Sequence, residues 1–412
     1  MSQPSASSLG FRGLLATGVT PQHLELEGGP LVIERAEGVF VQDESGRRYL
    51  DAFAGYWTAS IGYGRKRVAD AVGAQLAKMN YTPLDWRAHR PALELADALL
   101  ARTPRMRRVF LCSGGSEAVD TALKLARLWG ARQHPSRETL LFRRGSYHGA
   151  TMGAASVTGF DSLRKPFAPL MGGTQEITGT LSADDALGSL ALIAEPIVAA
   201  TGVQIPDSNY WPSVTAALKT AGALLISDEV LTGVGRTGRW LASEHYGLQP
   251  DFVVLAKGLS GGYAPMGAVL ISDRVAEMFE EEPIEHGFTF GGHPAGCAAS
   301  LETLKIIDEE NLIEQAEVQG GKIRAGLESI AKRLSGFGSV SGIGLLYSMG
   351  HSVPSEDRQA LRSALLDAGI IPYVEEGAIG IAPALSISDA EVSELLERLE
   401  AGLTAFVGGT RG

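Results

Sequence analysis

Apolar residues recur at helical spacing in some stretches of this chain and run together in others, and the alternation of the two organises it. From Lys66 to Met79 they fall at Val68, Ala71, Val72 and Leu76, the one-face spacing of an amphipathic helix. Pro91 to Arg102 reads the same way. Next come short apolar runs bounded by glycine or acidic turns: Val109–Leu111, Leu140–Phe142, Leu192–Ala194, Ala223–Ile226, Phe252–Leu255 and Ala268–Ile271. Such runs read as buried strands. Strands alternating with helices predict an α/β fold with a mainly parallel sheet, whose ligands collect at the carboxyl ends of the strands. Upstream, Leu31 to Asp51 alternates apolar and polar residues around Gly38 and Ser45-Gly46, a β-hairpin pattern. Residues 1–30, rich in Ser, Pro and Gly, read as a loose arm with a short helix. From about residue 294 the pattern turns to long helices, Pro294–Glu309 and Leu312–Leu334. A glycine-punctuated stretch to Gly350 and helices at Asp357–Ala368 and Asp389–Phe406 follow, a smaller α+β lobe.

Length and charge narrow the function classes. The 412 residues suffice for a large core plus a second lobe, and 45% hydrophobic with 20% charged content is ordinary for a globular protein. A net charge of −11 argues against a nucleic-acid footprint, and Arg65-Lys66-Arg67 and Arg105–Arg108 are too short to reverse it. The charge leaves phosphorylated small ligands open, because backbone amides hold phosphate without net positive charge. Two cysteines, Cys112 and Cys297, make no disulfide framework and suit a reducing cytosol. Residues 1–10 lack the pattern of a secretory signal, and Glu195-Pro196 interrupts the apolar run Leu190–Ile205, so no membrane span is expected. The histidines are scattered and show no metal-ligand spacing.

Two strand ends carry the chemistry. Asp228 closes Leu224-Leu225-Ile226, and Lys257 follows Phe252–Ala256 and precedes Gly258. Each has a bland reading, a capping aspartate and an exposed strand-end lysine. Together they supply an amine able to form a Schiff base and a carboxylate able to hold a pyridinium nitrogen, the two groups needed around pyridoxal 5′-phosphate (PLP). Val230 shares a face with Asp228 if the chain stays extended, and could cover a ring. Ser113-Gly114-Gly115-Ser116-Glu117 follows a strand and opens a helix, presenting amides and the positive dipole end to a phosphate. It equally reads as a plain capped helix start. It is neither G-x-G-x-x-G nor a Walker motif, and Ser113 and Ser116 lack the G-x-S-x-G context of a hydrolase. Tyr147-His148 could stack on and hydrogen-bond near a cofactor ring. In His286–Pro294, Thr289 could bind phosphate.

These segments, in order, resemble the class III (ω-amino-acid and ω-amine) aminotransferases, PLP enzymes of fold type I. The resemblance rests on Ser113–Arg127, Tyr147–Thr151, Glu195-Pro196, Asp228–Gly238, Pro250–Gly267 and His286–Pro294, densest between residues 108 and 300. It implies a large domain at 51–295 with a mainly parallel seven-stranded sheet flanked by helices. A small α+β domain would be built from 1–50 and 296–412. It implies that Lys257 forms the Schiff base and shuttles a proton, that Asp228 pairs with the pyridine nitrogen, and that Tyr147 and Val230 sandwich the ring. His148 and Glu195 stand beside them, and Gly114, Gly115 and Ser116 hold the phosphate. Thr289 reaches the phosphate of a partner subunit, which makes a homodimer or higher oligomer with shared active sites. A cytoplasmic location is expected.

The segment Phe53–Arg65 is similar to the aromatic-lined pocket of the ω-amine:pyruvate branch, which assigns Tyr56 and Trp57 to the substrate pocket; as residues alone they read equally as core. Arg87 is a further pocket candidate. Two positions depart from the family pattern. Tyr373 stands where many members carry an arginine for the substrate carboxylate, and Ala200 where some carry its acidic partner. The implied reaction moves an amino group between an amine or ω-amino acid and a keto acid or ketone. 2-Oxoglutarate is disfavoured as acceptor. Phospho-lyase, decarboxylase or racemase chemistry on the same fold is the rival reading.

Overall fold

The computed structural model describes residues 29–280 and 283–409. The arm and short helix expected over residues 1–30 lie almost wholly outside them. Among the described residues three sheets form. The first begins as an antiparallel meander of β1 (Ile33–Glu37), β2 (Phe40–Asp43) and β3 (Arg48–Asp51), one strand more than the expected hairpin. Asp43 makes the second turn. Its Oδ1 accepts from the amides of Ser45 and Arg47, both at 2.9 Å, which ties the Ser45-Gly46 corner.

The central sheet has seven strands in the order β4 (Met106–Cys112), β10 (Gly267–Ser272), β9 (Phe252–Leu255), β8 (Leu224–Asp228), β7 (Ser189–Ala194), β5 (Thr139–Arg143), β6 (Thr174–Ile177). The β9-β8-β7-β5-β6 pairs are parallel, and β10 runs antiparallel to both β9 and β4. The strand interiors are buried on both faces, which is why their sequences are continuous apolar runs rather than alternating ones. The edge strand β6, Thr-Gln-Glu-Ile, has a single apolar residue and gave no such signal.

The helix Gly115–Gln133 covers one face of this sheet. Val119, Ala122, Leu123 and Ala126 pack with Leu140, Phe142 and Ile193. Burying such a side chain contributes roughly 1.5–3 kcal/mol. A Cβ at Gly130 would lie 2.4 Å from Leu190 Cδ1, so glycine there lets helix and strand approach. The helix Tyr210–Ala221 buries Trp211, Val214 and Leu218 on the other side with Leu192 and Leu225.

The third sheet joins β11 (Phe337–Ile343), β12 (Leu346–His351), β15 (Ala378–Ile381) and β14 (Tyr373–Glu375), all antiparallel. Between its strands in the chain, β13 (Ile370–Ile371) leaves to pair in parallel with β3, Ile371 opposite Asp51. Segments from both ends of the chain thus meet beside residues 52–63. No helix among the described residues is long and apolar enough to cross a membrane.

Candidate active site

Strands β4, β5, β7, β8 and β9 all point the same way, and the chemically suggestive residues stand at or just past their carboxyl ends. After β4, Gly114 is extended and Gly115 opens the long helix with no side-chain cap. The first amide shown bonded back into the turn is that of Ala118, to Gly114 O at 3.0 Å. The amides of Gly115, Ser116 and Glu117 therefore face outward at the positive end of a 19-residue helix. Close approach needs the glycines here. A Cβ at Gly149 would fall 2.5 Å from Ser116 Oγ, and one at Gly115 3.0 Å from Val230 Cγ1. Ser116 Oγ accepts from the Ala150 amide at 3.1 Å, fastening the Tyr147–Ala150 loop to the helix start.

Asp228 and Glu195, both buried, and the half-buried Lys257 form an ionisable cluster. Asp228 Oδ2 is hydrogen-bonded to His148 Nδ1 at 2.6 Å, and Asp228 Oδ1 accepts from Val230 N at 3.0 Å. The backbone of His148 is itself held, its amide donating to Thr158 Oγ1 at 3.0 Å. Glu195 Oε1 accepts from the Tyr147 amide at 2.9 Å. Burial pushes the Glu195 carboxyl up to about 7; His148 opposes this and the Asp228 charge adds to it. Burial pushes the Lys257 ammonium down, against the pull of Asp228 and Glu195. Lys257 has φ +42°, a left-handed conformation uncommon outside glycine. Its Nζ stands 4.9 Å from the centre of the Trp57 ring.

Trp57 belongs to an aromatic wall. Its ring meets Tyr373 edge-on at 4.9 Å and Phe53 at 5.9 Å, and Tyr56 lies 6.2 Å from Tyr373. The turn bearing it, Ala54-Gly55-Tyr56-Trp57, is left-handed throughout, with φ of 49°, 54°, 61° and 63°. Each of its non-glycine residues costs about 1–2 kcal/mol in that conformation. The Tyr373 hydroxyl donates to Ala200 O at 3.2 Å, so the two positions that depart from the family pattern meet. A cavity behind the wall is lined by Trp57, Gly202, Val203, Ser348, Tyr373 and Glu375 among others, and Glu375 is its one charged lining residue among those described.

The structure thus gathers Gly114, Gly115, Ser116, Tyr147, His148, Glu195, Asp228, Val230 and Lys257, and sets Tyr56, Trp57 and Tyr373 beside them. Two candidates make their contacts elsewhere. Arg87 pairs with Asp85 at 2.5 Å and rests over the Trp86 ring. Thr289 O accepts from Tyr81 Oη at 2.5 Å, in a loop that packs on Leu111. Sequence reasoning placed Phe53 and Tyr63 in the aromatic-lined segment without a role of their own, and gave Asp51 none. The one signal for Asp51 is its place at a strand end just before Phe53-Ala54-Gly55.

The residues fit PLP. Uncapped helix amides suit a phosphate, a buried carboxylate suits a protonated ring nitrogen, and a desolvated amine suits a carbonyl. His148 Nε2, buried and without a partner, marks a site whose polar groups are not all satisfied by the protein.

Residues 25–403 match the family model for class-III aminotransferases. The chain belongs to this family. It is accordingly a PLP-dependent transaminase of fold type I. This class-III aminotransferase is 34% identical to the taurine–pyruvate aminotransferase of Rhodobacter capsulatus, over 93% of each chain. It is 36% identical to the putrescine–pyruvate aminotransferase of Pseudomonas aeruginosa, over 71% of each. Among solved structures, an (S)-enantioselective omega-transaminase from Thermomicrobium roseum superposes with a TM-score of 0.93. It is 33% identical, with 99% of this chain and 100% of that one covered. An amine transaminase from an uncultivated Pseudomonas species, solved in the PLP-bound form, gives 0.88 at 31% identity, over 95% and 97%.

Proposed function

We propose that this aminotransferase takes amines and ω-amino compounds as donors in preference to α-amino dicarboxylates, and passes the amino group to a keto acid or ketone. The observation that carries this is the Tyr373–Ala200 hydrogen bond at 3.2 Å. It stands where the resemblance places a carboxylate-binding arginine and its partner acid. A bidentate carboxylate site needs a guanidinium, which a phenol does not replace. The pyruvate-linked names of two relatives support the acceptor class.

When bound, PLP supplies the electron sink that makes the proton on the amine-bearing carbon removable. The protein's part is binding and proton handling. Gly114, Gly115 and Ser116 would hold the phosphate, joined by Thr289 of the partner subunit. Asp228, oriented by His148 and the Val230 amide, would hold the ring nitrogen, with Tyr147 and Val230 on the two ring faces. Desolvation keeps more of Lys257 neutral, so that Nζ serves as nucleophile and then as proton carrier. The Trp57 ring covers that amine and excludes water. Arg87 would serve the pocket of a neighbouring subunit. These roles imply a homodimer or higher oligomer. A cytoplasmic enzyme is supported by two buried free cysteines. The parallel pairing of β3 with β13 supports a small domain built from 1–50 and 296–412 around a large one at 51–295.

A stopped-flow half-reaction tests the reading. Alkylamines and arylalkylamines should bleach the lysine-linked cofactor absorbance as equimolar carbonyl product appears, at least tenfold faster than α-amino dicarboxylates, the ~1.4 kcal/mol scale of one lost polar contact. Faster reaction with glutamate than with any amine would overturn it. A Lys257→Ala variant should lack both the absorbance band and turnover.

A further inference from the structure

We propose that Asp51 and Tyr63 are a positioning pair: together they hold residues 54–57 in their left-handed turn and thereby set where Trp57 stands over Lys257 and where Tyr56 stands beside Trp57. The inference rests on Lys257 being the reactive amine.

The turn's own hydrogen bonds do not explain its hand. Trp57 N donates to Phe53 O at 2.8 Å and Thr58 N to Ala54 O at 2.9 Å, but i→i−4 bonds close a right-handed turn equally well. Three of its four residues carry side chains that favour the right-handed form. Something outside the turn must select the conformation, and Asp51 is placed to do so. Its Oδ1 accepts from the Phe53 amide at 3.1 Å, and its Oδ2 from the Gly55 amide at 2.7 Å and from the Tyr63 hydroxyl at 2.6 Å.

Both partners are anchored elsewhere. Asp51 lies in β3 opposite Ile371 of β13. Tyr63 exchanges backbone hydrogen bonds with Gly38, at 2.8 and 3.1 Å. The clamp also fits sterically around one glycine. A Cβ at Gly55 would fall 2.6 Å from Tyr63 Oη, so only glycine lets the phenol reach the carboxylate. Burial raises the proton affinity of Asp51, and its three donors work against that.

The output of the clamp is the site. Lys257 Nζ stands 4.9 Å from the centre of the Trp57 ring, and three residues past Trp57 the Ser60 hydroxyl donates to Gly258 O at 3.0 Å. The turn therefore touches the lysine segment at two points, while neither Asp51 nor Tyr63 is seen to touch Lys257 itself. Their action is through Trp57 and Tyr56.

The test uses the PLP-loaded enzyme with pyruvate and two donors, an arylalkylamine and a small alkylamine, and the variants Tyr63→Phe and Asp51→Asn. Losing one hydrogen bond to a carboxylate should raise KM for the arylalkylamine about tenfold while kcat moves by less than about threefold, with the alkylamine less affected. A second readout needs no substrate: emission of the apo-protein, with Trp57 isolated by subtracting a Trp57→Phe variant, should shift to the red as the ring gains solvent. If Asp51→Asn does not fold, Tyr63→Phe decides. Unchanged KM for both donors with unchanged Trp57 emission overturns the proposal, as does an equal fall of kcat and kcat/KM for both donors. If neither amine is turned over by the wild type, it is the donor reading that fails, and the emission experiment still decides this one.

Discussion

Glu195 is a buried, strongly perturbed acid of the site, and its environment predicts a measurable pH dependence. Its carboxyl is raised from 4.5 to about 7, chiefly by burial. The folded chain therefore holds this proton more tightly than the unfolded chain does. Below about pH 4.5 both states are protonated and the contribution to stability is intact. As pH rises the unfolded chain releases the proton first, and stability declines until the folded carboxyl has titrated, near 7. At about 1.36 kcal/mol per unit, a shift of that size corresponds to about 3 kcal/mol at alkaline pH. The Glu195→Gln variant removes the titration and keeps a carbonyl oxygen for the Tyr147 amide. Variant and wild type should differ by a nearly constant amount at low pH and then separate, by about 2 kcal/mol between about pH 5.5 and pH 8.5, the variant gaining. Urea midpoints of the apo-proteins across that range measure the separation. A constant offset throughout, or a gain by the wild type at high pH, would refute the claim that burial holds this proton.

Two further substitutions probe the ends of the site. Asp228→Asn keeps an acceptor for the Val230 amide but removes the negative charge that His148 orients, and should lower kcat on the order of 10²–10³-fold, the usual cost of one preorganised electrostatic partner. An effect under tenfold in single-turnover kinetics would remove Asp228 from its assigned role. Tyr373→Arg combined with Glu375→Gln replaces the phenol by a guanidinium and deletes the cavity's acid, so kcat/KM for carboxylate-bearing donors should rise at least ~10-fold relative to a plain amine, one bidentate pair's worth of discrimination. An unchanged donor ratio would show that substrate carboxylates are read elsewhere.

Much of the central sheet was legible because its strands are buried on both faces. Phe252–Leu255 could be read to the residue, and the helices Pro294–Glu309 and Lys66–Lys78 to within one residue. The edge strand β6 escaped because an edge needs little apolar surface, and Thr174–Ile177 has only Ile177. The helix Tyr210–Ala221 had the spacing, at Trp211, Val214 and Leu218, and was passed over. In the site, groups that follow a strand directly were easy to find, since the fold delivers strand ends to one rim. Contacts between loops distant in sequence were not. Nothing in Tyr-Trp announces a left-handed turn, and the Asp51–Tyr63 pair spans 12 positions with no periodic pattern. Arg87, named for the substrate pocket, pairs within this chain with Asp85.

The two halves of the site differ in what supports them. Asp228, Glu195 and Lys257 rise from three adjacent strands of one sheet and the uncapped amides from β4 of the same sheet, over a core that includes Leu224, Ile226 and Val254. Packed interiors resist displacement, so this half can hold unfavourable features, two raised or depressed ionisations and a lysine at φ +42°. The wall comes from three separate places: residues 53–57, the Ala200 carbonyl and Tyr373 on a short strand of the third sheet. Those pieces meet on one small hydrophobic cluster, in which Trp57 packs with Ala199, Val203 and Leu346 and Tyr373 lies against it, and specific hydrogen bonds add to that packing. Donor selection can therefore change by altering the wall while the amine chemistry stays where the sheet puts it. Trp57 alone belongs to both halves, its edge against Tyr373 and its face toward Lys257. A residue that must satisfy two supports at once has the least freedom to shift, and its backbone is where the chain tolerates a run of left-handed residues.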